Sequence, residues 1–196
     1  MYMTYSIIYF SWTVVLHRSD GSVDFNQDWH SYGAGFGAPH GEYWLGNAYL
    51  HYLTNSRSHK LRFNLEDWEG SIAYAEYSSF RVTSEADKYR LLLGDYSGNA
   101  SANSDADRSR GLLFHNNSRF STYDQDNDDW VTNSCLDYYS TNGFWFAACG
   151  WVYPTSAYCP TASCGSSAQR LVWEAWRVYD YSLKRIKMMI RPVDYN

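Results

Sequence analysis

WTVVLHRSDGSVDFNQDWHSYGAGFG, residues 12–37, runs through three kinds of local chemistry in one short stretch. Ser11 to His17 is β-branched and apolar, and RSDGS follows with turn residues, a pattern that predicts a strand leading into a hairpin. Asp28 to Tyr32 reads as one helical turn, and Gly33, Gly35 and Gly37 behind it permit tight backbone bends. Working outward, GEYWLGN comes next, then AYLHYLTN, whose Leu50 and Leu53 indicate a short amphipathic helix ending near Asn55. Lys60 to Leu65, Ser71 to Phe80 and Lys88 to Leu93 alternate or run apolar like strands of an antiparallel sheet. Gly94 to Arg110 reads as a polar loop, and Phe114 to Arg170 offers few regular elements. YSLKRIKMMIRP, near the C-terminus, has an imperfect period of two and is expected to return to the central sheet. The chain therefore reads as loop-rich α+β, without internal repeat or linker.

Its 196 residues suffice for one folding unit with a real core. Aromatic residues make up 19% of the chain, with 19 Tyr and 9 Trp, as many as the charged residues at 19%. Such a surface, rich in Tyr, Ser and Asn, suits an extracellular recognition protein better than a cytosolic enzyme. The formal charge of −5 and scattered basic residues leave no stripe to follow a phosphate backbone, so nucleic acid is not an expected partner.

Cys135, Cys149, Cys159 and Cys164 all lie in the C-terminal part. Four cysteines allow three pairings, and the spacing fits two nested local disulfides better than zinc, which prefers closer ligand pairs. Disulfides belong to oxidising compartments, and the sequons Asn99-Ala-Ser101 and Asn116-Asn-Ser118 point the same way. MYMTYSIIYF, residues 1–10, lacks the basic start and cleavage site of a signal peptide and is too short to span a membrane. It reads as a starting strand or an incomplete N-terminus.

FSTYDQDNDDW, residues 120–130, packs Asp124, Asp126, Asp128 and Asp129 between aromatic neighbours. Carboxylates this close repel one another unless a cation offsets the repulsion, and calcium takes six to eight oxygen ligands of this kind. An EF-hand is excluded, since its sixth and twelfth positions from Asp124 would hold Gly and Glu, and here hold Asp129 and Cys135. A different calcium loop and a solvated acidic turn both stay open. The second D-x-D, Asp105 and Asp107 beside Arg108 and Arg110, reads as solvated.

Catalytic patterns are missing. GDYSG from Gly94 has its serine out of place for G-x-S-x-G, and no histidine stands in a metal-ligand pattern. Glu66 and Asp67 are adjacent, so on a strand they point to opposite faces, and they read as a solvated charged turn rather than a glycosidase pair.

Taken in order, residues 12–37, GEYWLGN, FSTYDQDND, NSC, the W-x-x-W of Trp173 and Trp176, and YSLKRIKMMIRP resemble the fibrinogen C-terminal globular domain of ficolins, tachylectins and fibrinogen-related proteins. The likeness covers residues 11–192, with residues 193–196 as a tail. It implies a twisted antiparallel sheet with short helices and a loop-rich C-terminal region holding calcium and a ligand pocket. On the family pattern the side chains of Asp124 and Asp126 and the carbonyls of Asp128 and Trp130 bind Ca2+. Cys135–Cys149 is similar to the family's C-terminal disulfide, and Cys159–Cys164 is then an additional staple. The family's N-terminal subdomain is truncated or replaced here by residues 1–10.

In the lectin branch of the family the pocket takes acetyl groups. The resemblance places Tyr139, Cys149, Gly150, Tyr158 and Tyr179 around it, with an aromatic cage for the methyl group. Three departures stand out: Gly150 replaces a histidine, PTSA (residues 154–157) replaces N-L-N-G, and the polar run GSSAQ (residues 165–169) replaces a segment that often carries another aromatic. The leading expectation is a secreted, calcium-dependent, innate-immune pattern-recognition lectin for acetylated or related glycans, gaining avidity as a homo-oligomer assembled through its globular surface or segments beyond this sequence. The alternative is a protein-binding receptor or adhesion module without acetyl specificity. The isomer of the Cys149–Gly150 peptide stays open.

Overall fold

Alternation of apolar and polar side chains over three long segments dictates the central layer. The computed structural model describes residues 11–164 and 170–193. MYMTYSIIYF, GSSAQ and residues 194–196 of the expected tail lie outside the described residues. In chain order the elements are β1 (Thr13–Arg18), α1 (Trp29–Ala34), β2 (Phe36–Gly37), β3 (Tyr43–Trp44), α2 (Asn47–Ser56), β4 (His59–Glu66), β5 (Ile72–Val82), β6 (Leu91–Leu93) and β7 (Tyr96–Gly98). There follow α3 (Ser104–Arg110), β8 (Phe120–Ser121), α4 (Cys135–Tyr139), β9 (Phe144–Trp145), β10 (Val152–Tyr153), β11 (Val172–Trp173) and β12 (Arg185–Pro192).

The main sheet is antiparallel, in the order β2-β3-β1-β12-β4-β5-β6, with β7 also on β5. Register lines Met188 of β12 up with Phe63 of β4 and then Ala75 of β5. Leu61, Phe63 and Leu65 thus share the buried face with Ala73, Ala75, Tyr77, Ile186, Met188 and Ile190. Each large apolar side chain so buried contributes about 1.5–3 kcal/mol. The C-terminal strand does return to the sheet, and takes its middle.

Elsewhere local propensity is overruled. No hairpin follows β1, which pairs instead with β12 and β3. The RSDGS turn is pinned by the buried Glu42, whose Oε1 accepts from Ser19 N at 2.7 Å and Asp20 N at 3.2 Å, and whose Oε2 accepts from Val23 N at 3.3 Å. That carboxylate satisfies donors which a returning strand would otherwise have taken, and Arg18 Nε balances its charge at 3.3 Å. The strand expected from Lys88 begins only at Leu91, because Lys88 and Tyr89 adopt positive φ of 58° and 49°.

The supposed polar loop from Gly94 contains β7 and α3, the helix capped by the Asn103 side chain on Ala106 N. Of the two aspartates in α3 only Asp105 is exposed; Asp107 is fully buried and accepts from Tyr77 Oη at 3.0 Å, Ser101 Oγ at 2.9 Å and Leu113 N at 3.0 Å. Burial raises its carboxyl above the ordinary range despite those donors. Asp67 is likewise buried rather than solvated, bound by Ser71 N and by the Arg177 guanidinium, while Glu66 pairs with Lys184 and Arg185.

Candidate functional site

Beyond the sheet, order comes from polar links, rings and cross-links. Cys135 is joined to Cys149 with Cα atoms 5.2 Å apart, and Cys159 to Cys164 at 6.2 Å. The two loops follow one another and are not nested.

The acidic stretch is organised by its own carboxylates. Asp124 Oδ1 accepts from Trp29 N at 2.9 Å and Thr122 Oγ1 at 2.7 Å, and Asp126 Oδ1 from Asp128 N at 3.0 Å. Asp128 turns its Oδ1 to Trp130 N at 2.8 Å and its Oδ2 to Cys135 N at 2.8 Å, so it ties the loop to the first turn of α4. Burial, with Asp126 adding to it, raises the Asp128 carboxyl above its usual range even with those two donors. Among the described residues no group of three or more His, Cys, Asp or Glu side chains is placed to hold a metal. A cation here therefore needs backbone carbonyls as well as carboxylates. The donors present are compatible with one: Asp124 and Asp126 retain lone pairs beyond their Oδ1 bonds, and a carbonyl such as that of Trp130, which accepts from Asn133 N at 3.2 Å, keeps a second lone pair.

A depression of about 200 Å3 opens beside α4, lined by Phe114, Tyr139, Cys149, Gly150, Trp151 and Tyr179. Four of the five residues expected at the pocket thus meet in one place. Tyr158 does not join them. Its hydroxyl donates toward Ser19 O at 2.8 Å and Lys184 O at 3.2 Å, and its ring lies against Gly21, in a separate depression beside Arg18. These two bonds hold the Tyr158 side chain at the β1 turn and away from the depression.

Behind Gly150 lies a residue the sequence gave no reason to single out. His115 is fully buried. Its Nδ1 lies 2.6 Å from Trp145 O, while Nε2 lies 3.2 Å from Trp151 N and 3.3 Å from Val152 N. A carbonyl on one side and two N–H donors on the other select the neutral ring protonated at Nδ1. Burial pushes its pKa down to about 4, although the bond to Trp145 O opposes the shift. A Cβ built on Gly150 would stand 2.0 Å from His115 Cε1. The missing side chain at position 150 is thus a packing requirement, because an imidazole from elsewhere in the chain fills that space. Cys149 takes φ 75°, and the Cys149–Gly150 peptide is trans.

Rings connect the two parts. Trp130 meets Tyr138 at 5.1 Å, Tyr138 meets Tyr139 at 5.0 Å, Tyr139 meets Tyr153 at 6.2 Å, and Tyr153 meets Tyr179 at 6.0 Å. Tyr138 is 63% exposed and Tyr123 56%, so this end presents aromatic surface among carboxylates.

A family profile described as fibrinogen beta and gamma chains, C-terminal globular domain, matches residues 8–193. The chain belongs to the fibrinogen C-terminal globular domain family. It is similar to the fibrinogen-like globe domain of human ANGPTL6, with a TM-score of 0.85 and 38% identity, over 94% of this chain and 79% of that one. A lamprey fibrin D-dimer complexed with the peptide Gly-His-Arg-Pro-amide superposes with a TM-score of 0.83 at 32% identity, over 95% of this chain and 63% of that one. Among curated proteins it is 41% identical to mouse angiopoietin-related protein 7, over 92% of this chain and 51% of the relative. It is 39% identical to pig angiopoietin-1, over 94% of this chain and 35% of the relative. The chain thus spans about half or less of those curated relatives.

These relatives overturn the expectation of an innate-immune, carbohydrate-binding lectin. The similarity lies with angiopoietin-related proteins and favours the protein-binding alternative. The packing of Gly150 on His115 agrees, since no imidazole extends from position 150 into the depression.

Proposed function

We propose that this domain is a secreted, non-enzymatic protein-binding module that receives a protein partner on its aromatic and acidic end. The observation that carries the reading is the chain of ring contacts from Trp130 through the exposed Tyr138 and the buried Tyr153 to Tyr179, which joins a small aromatic depression to a carboxylate-rich loop. Rigid aromatic anchors beside a charged rim are how protein interfaces concentrate their binding energy. The bound peptide of the lamprey fibrin D-dimer supports it by likeness. Two disulfides support an oxidising, extracellular setting. Among the described residues no helix is long and apolar enough to cross a membrane.

The test is binding of the labelled domain to intact cells. Loss of binding after protease treatment, retention after enzymatic deglycosylation, and about tenfold weakening by Tyr139→Ala or Tyr179→Ala support the reading, tenfold being 1.4 kcal/mol. Binding that survives protease and disappears on deglycosylation discards it.

We infer in addition that Ca2+ is held by the side chains of Asp124 and Asp126 with the carbonyls of Asp128 and Trp130, where it would offset the repulsion among the neighbouring carboxylates and rigidify the loop next to the partner face. Calorimetric titration with CaCl2 tests this: Asp124→Ala and Asp126→Ala should each lose the binding heat of the parent protein, and unchanged affinity in both removes the assignment.

A further inference from the structure

The outer face of the main sheet has different chemistry. The inward residues of β1, β12, β4 and β5 form the core, so their alternate residues make up an outer face. Register gathers cations there that are scattered in the sequence. Lys187 of β12 stands beside His17 of β1 and Asn64 of β4; Arg185 stands opposite Glu66, Arg62 opposite Met189, and Lys60 opposite Arg191. Lys60, Arg62, Arg185, Lys187 and Arg191 therefore share one face with two carboxylates, Glu66 and Glu76, on a chain of net charge −5. Alternate residues along a strand are about 7 Å apart, so β12 presents its cations as a column. Beside that column lies an open depression of about 500 Å3, lined by His17, Ser19, Asn64, Glu66, Arg185 and Lys187. Lys187 is exposed and makes no ion pair among the described residues.

We propose that this outer sheet face is a second binding surface, for a sulfated extracellular polysaccharide, with a sulfate seated at Lys187 and Arg185. Charge complementarity to a linear polyanion fits a column of cations on an extended strand. Stacked bases are not the expected occupant, because the Tyr74 ring is covered by Arg62 at 4.1 Å and the Trp12 ring by Arg191 at 4.8 Å. A membrane surface is disfavoured because Ile72 is the large exposed aliphatic side chain on this face, too little apolar area for insertion. The proposal does not depend on the protein-binding reading, since it uses none of the same residues.

Retention on immobilised heparin at physiological salt tests it, with a desulfated polysaccharide and phosphatidylserine vesicles as parallel arms. Lys187→Ala combined with Arg185→Ala should weaken heparin binding on the order of tenfold and flatten its salt dependence, while Tyr139→Ala leaves it unchanged. Both double-variant positions are exposed, so an unchanged melting temperature establishes that the fold is intact. Equal elution of parent and double variant overturns the proposal, as does equal retention on the desulfated matrix or capture by vesicles without capture by heparin.

Discussion

The sheet and the loop-rich end solve the same problem with different materials. In the sheet, long-range register places one apolar face against the core, and the outer face is free to carry charge. In the loop-rich end, strands are two residues long, and other groups hold the backbone: the half-buried Asp128 on Cys135 N, the buried His115 on Trp145, Trp151 and Val152, and a disulfide between Cys135 and Cys149. The first design tolerates change wherever a side chain faces water. The second makes single atoms indispensable, and it is the end on which we propose that a partner docks.

Replacement within the sheet core tests the first half of that contrast most severely. Phe63→Ala, at a fully buried site, should lower unfolding free energy by about 3–5 kcal/mol, read by denaturant titration. Removing the cross-link of the loop-rich end, with Cys135→Ala and Cys149→Ala together, should cost about 2–5 kcal/mol and weaken partner binding as well. If the sheet variant impairs binding as much as stability does, and the disulfide variant does not, the contrast breaks.

Acid separates the regions through one side chain. The His115 pKa is about 4 in the fold against an ordinary 6.5, so the unfolded state binds more protons between those values. Its contribution is present in full above about pH 6.5 and is lost as pH falls toward 4, amounting to about 3 kcal/mol at 1.36 kcal/mol per unit. Urea midpoints at pH 7 and pH 4.5 should therefore converge in His115→Gln relative to the parent protein. Gly150→Ala should destabilise by about 1–3 kcal/mol through its collision with His115. Pairing it with His115→Ala should give less than the sum of the two single losses, the mark of direct contact. At the small end, Arg110→Ala removes the exposed partner of Glu174 at 2.9 Å and should change stability by less than about 1 kcal/mol.

The same contrast explains what the sequence disclosed. β4, β5 and β12 were legible because burial on one face enforces a period of two. α2 was legible from Leu50 and Leu53, and the family from motifs spread along the chain. The short α3 was not, because SDADRSR has no apolar stripe, although Asn103 as a cap and Gly111 as a stop were signals available at its ends. Asp67 and Asp107 looked solvated because their partners Arg177 and Tyr77 are 110 and 30 residues away. At the site, Tyr139, Cys149, Gly150 and Tyr179 were assembled by resemblance. Tyr158 was misplaced because its hydroxyl is held by the Ser19 carbonyl, 139 residues away. His115, within an apolar LLFH run, had no local mark of its role, since its partners lie 30 to 37 residues onward.

The position of β12 has a consequence in time. It lies between β1 and β4, so the middle of the sheet waits for residues 185–192. During synthesis β1 emerges with one edge unmatched, and the residues up to β12 must follow it out of the ribosome before the gap can close. Pairings this distant along the chain form slowly. Until then the two exposed edges are open to other chains, which makes the interval before β12 docks the period when a chaperone matters most to this domain.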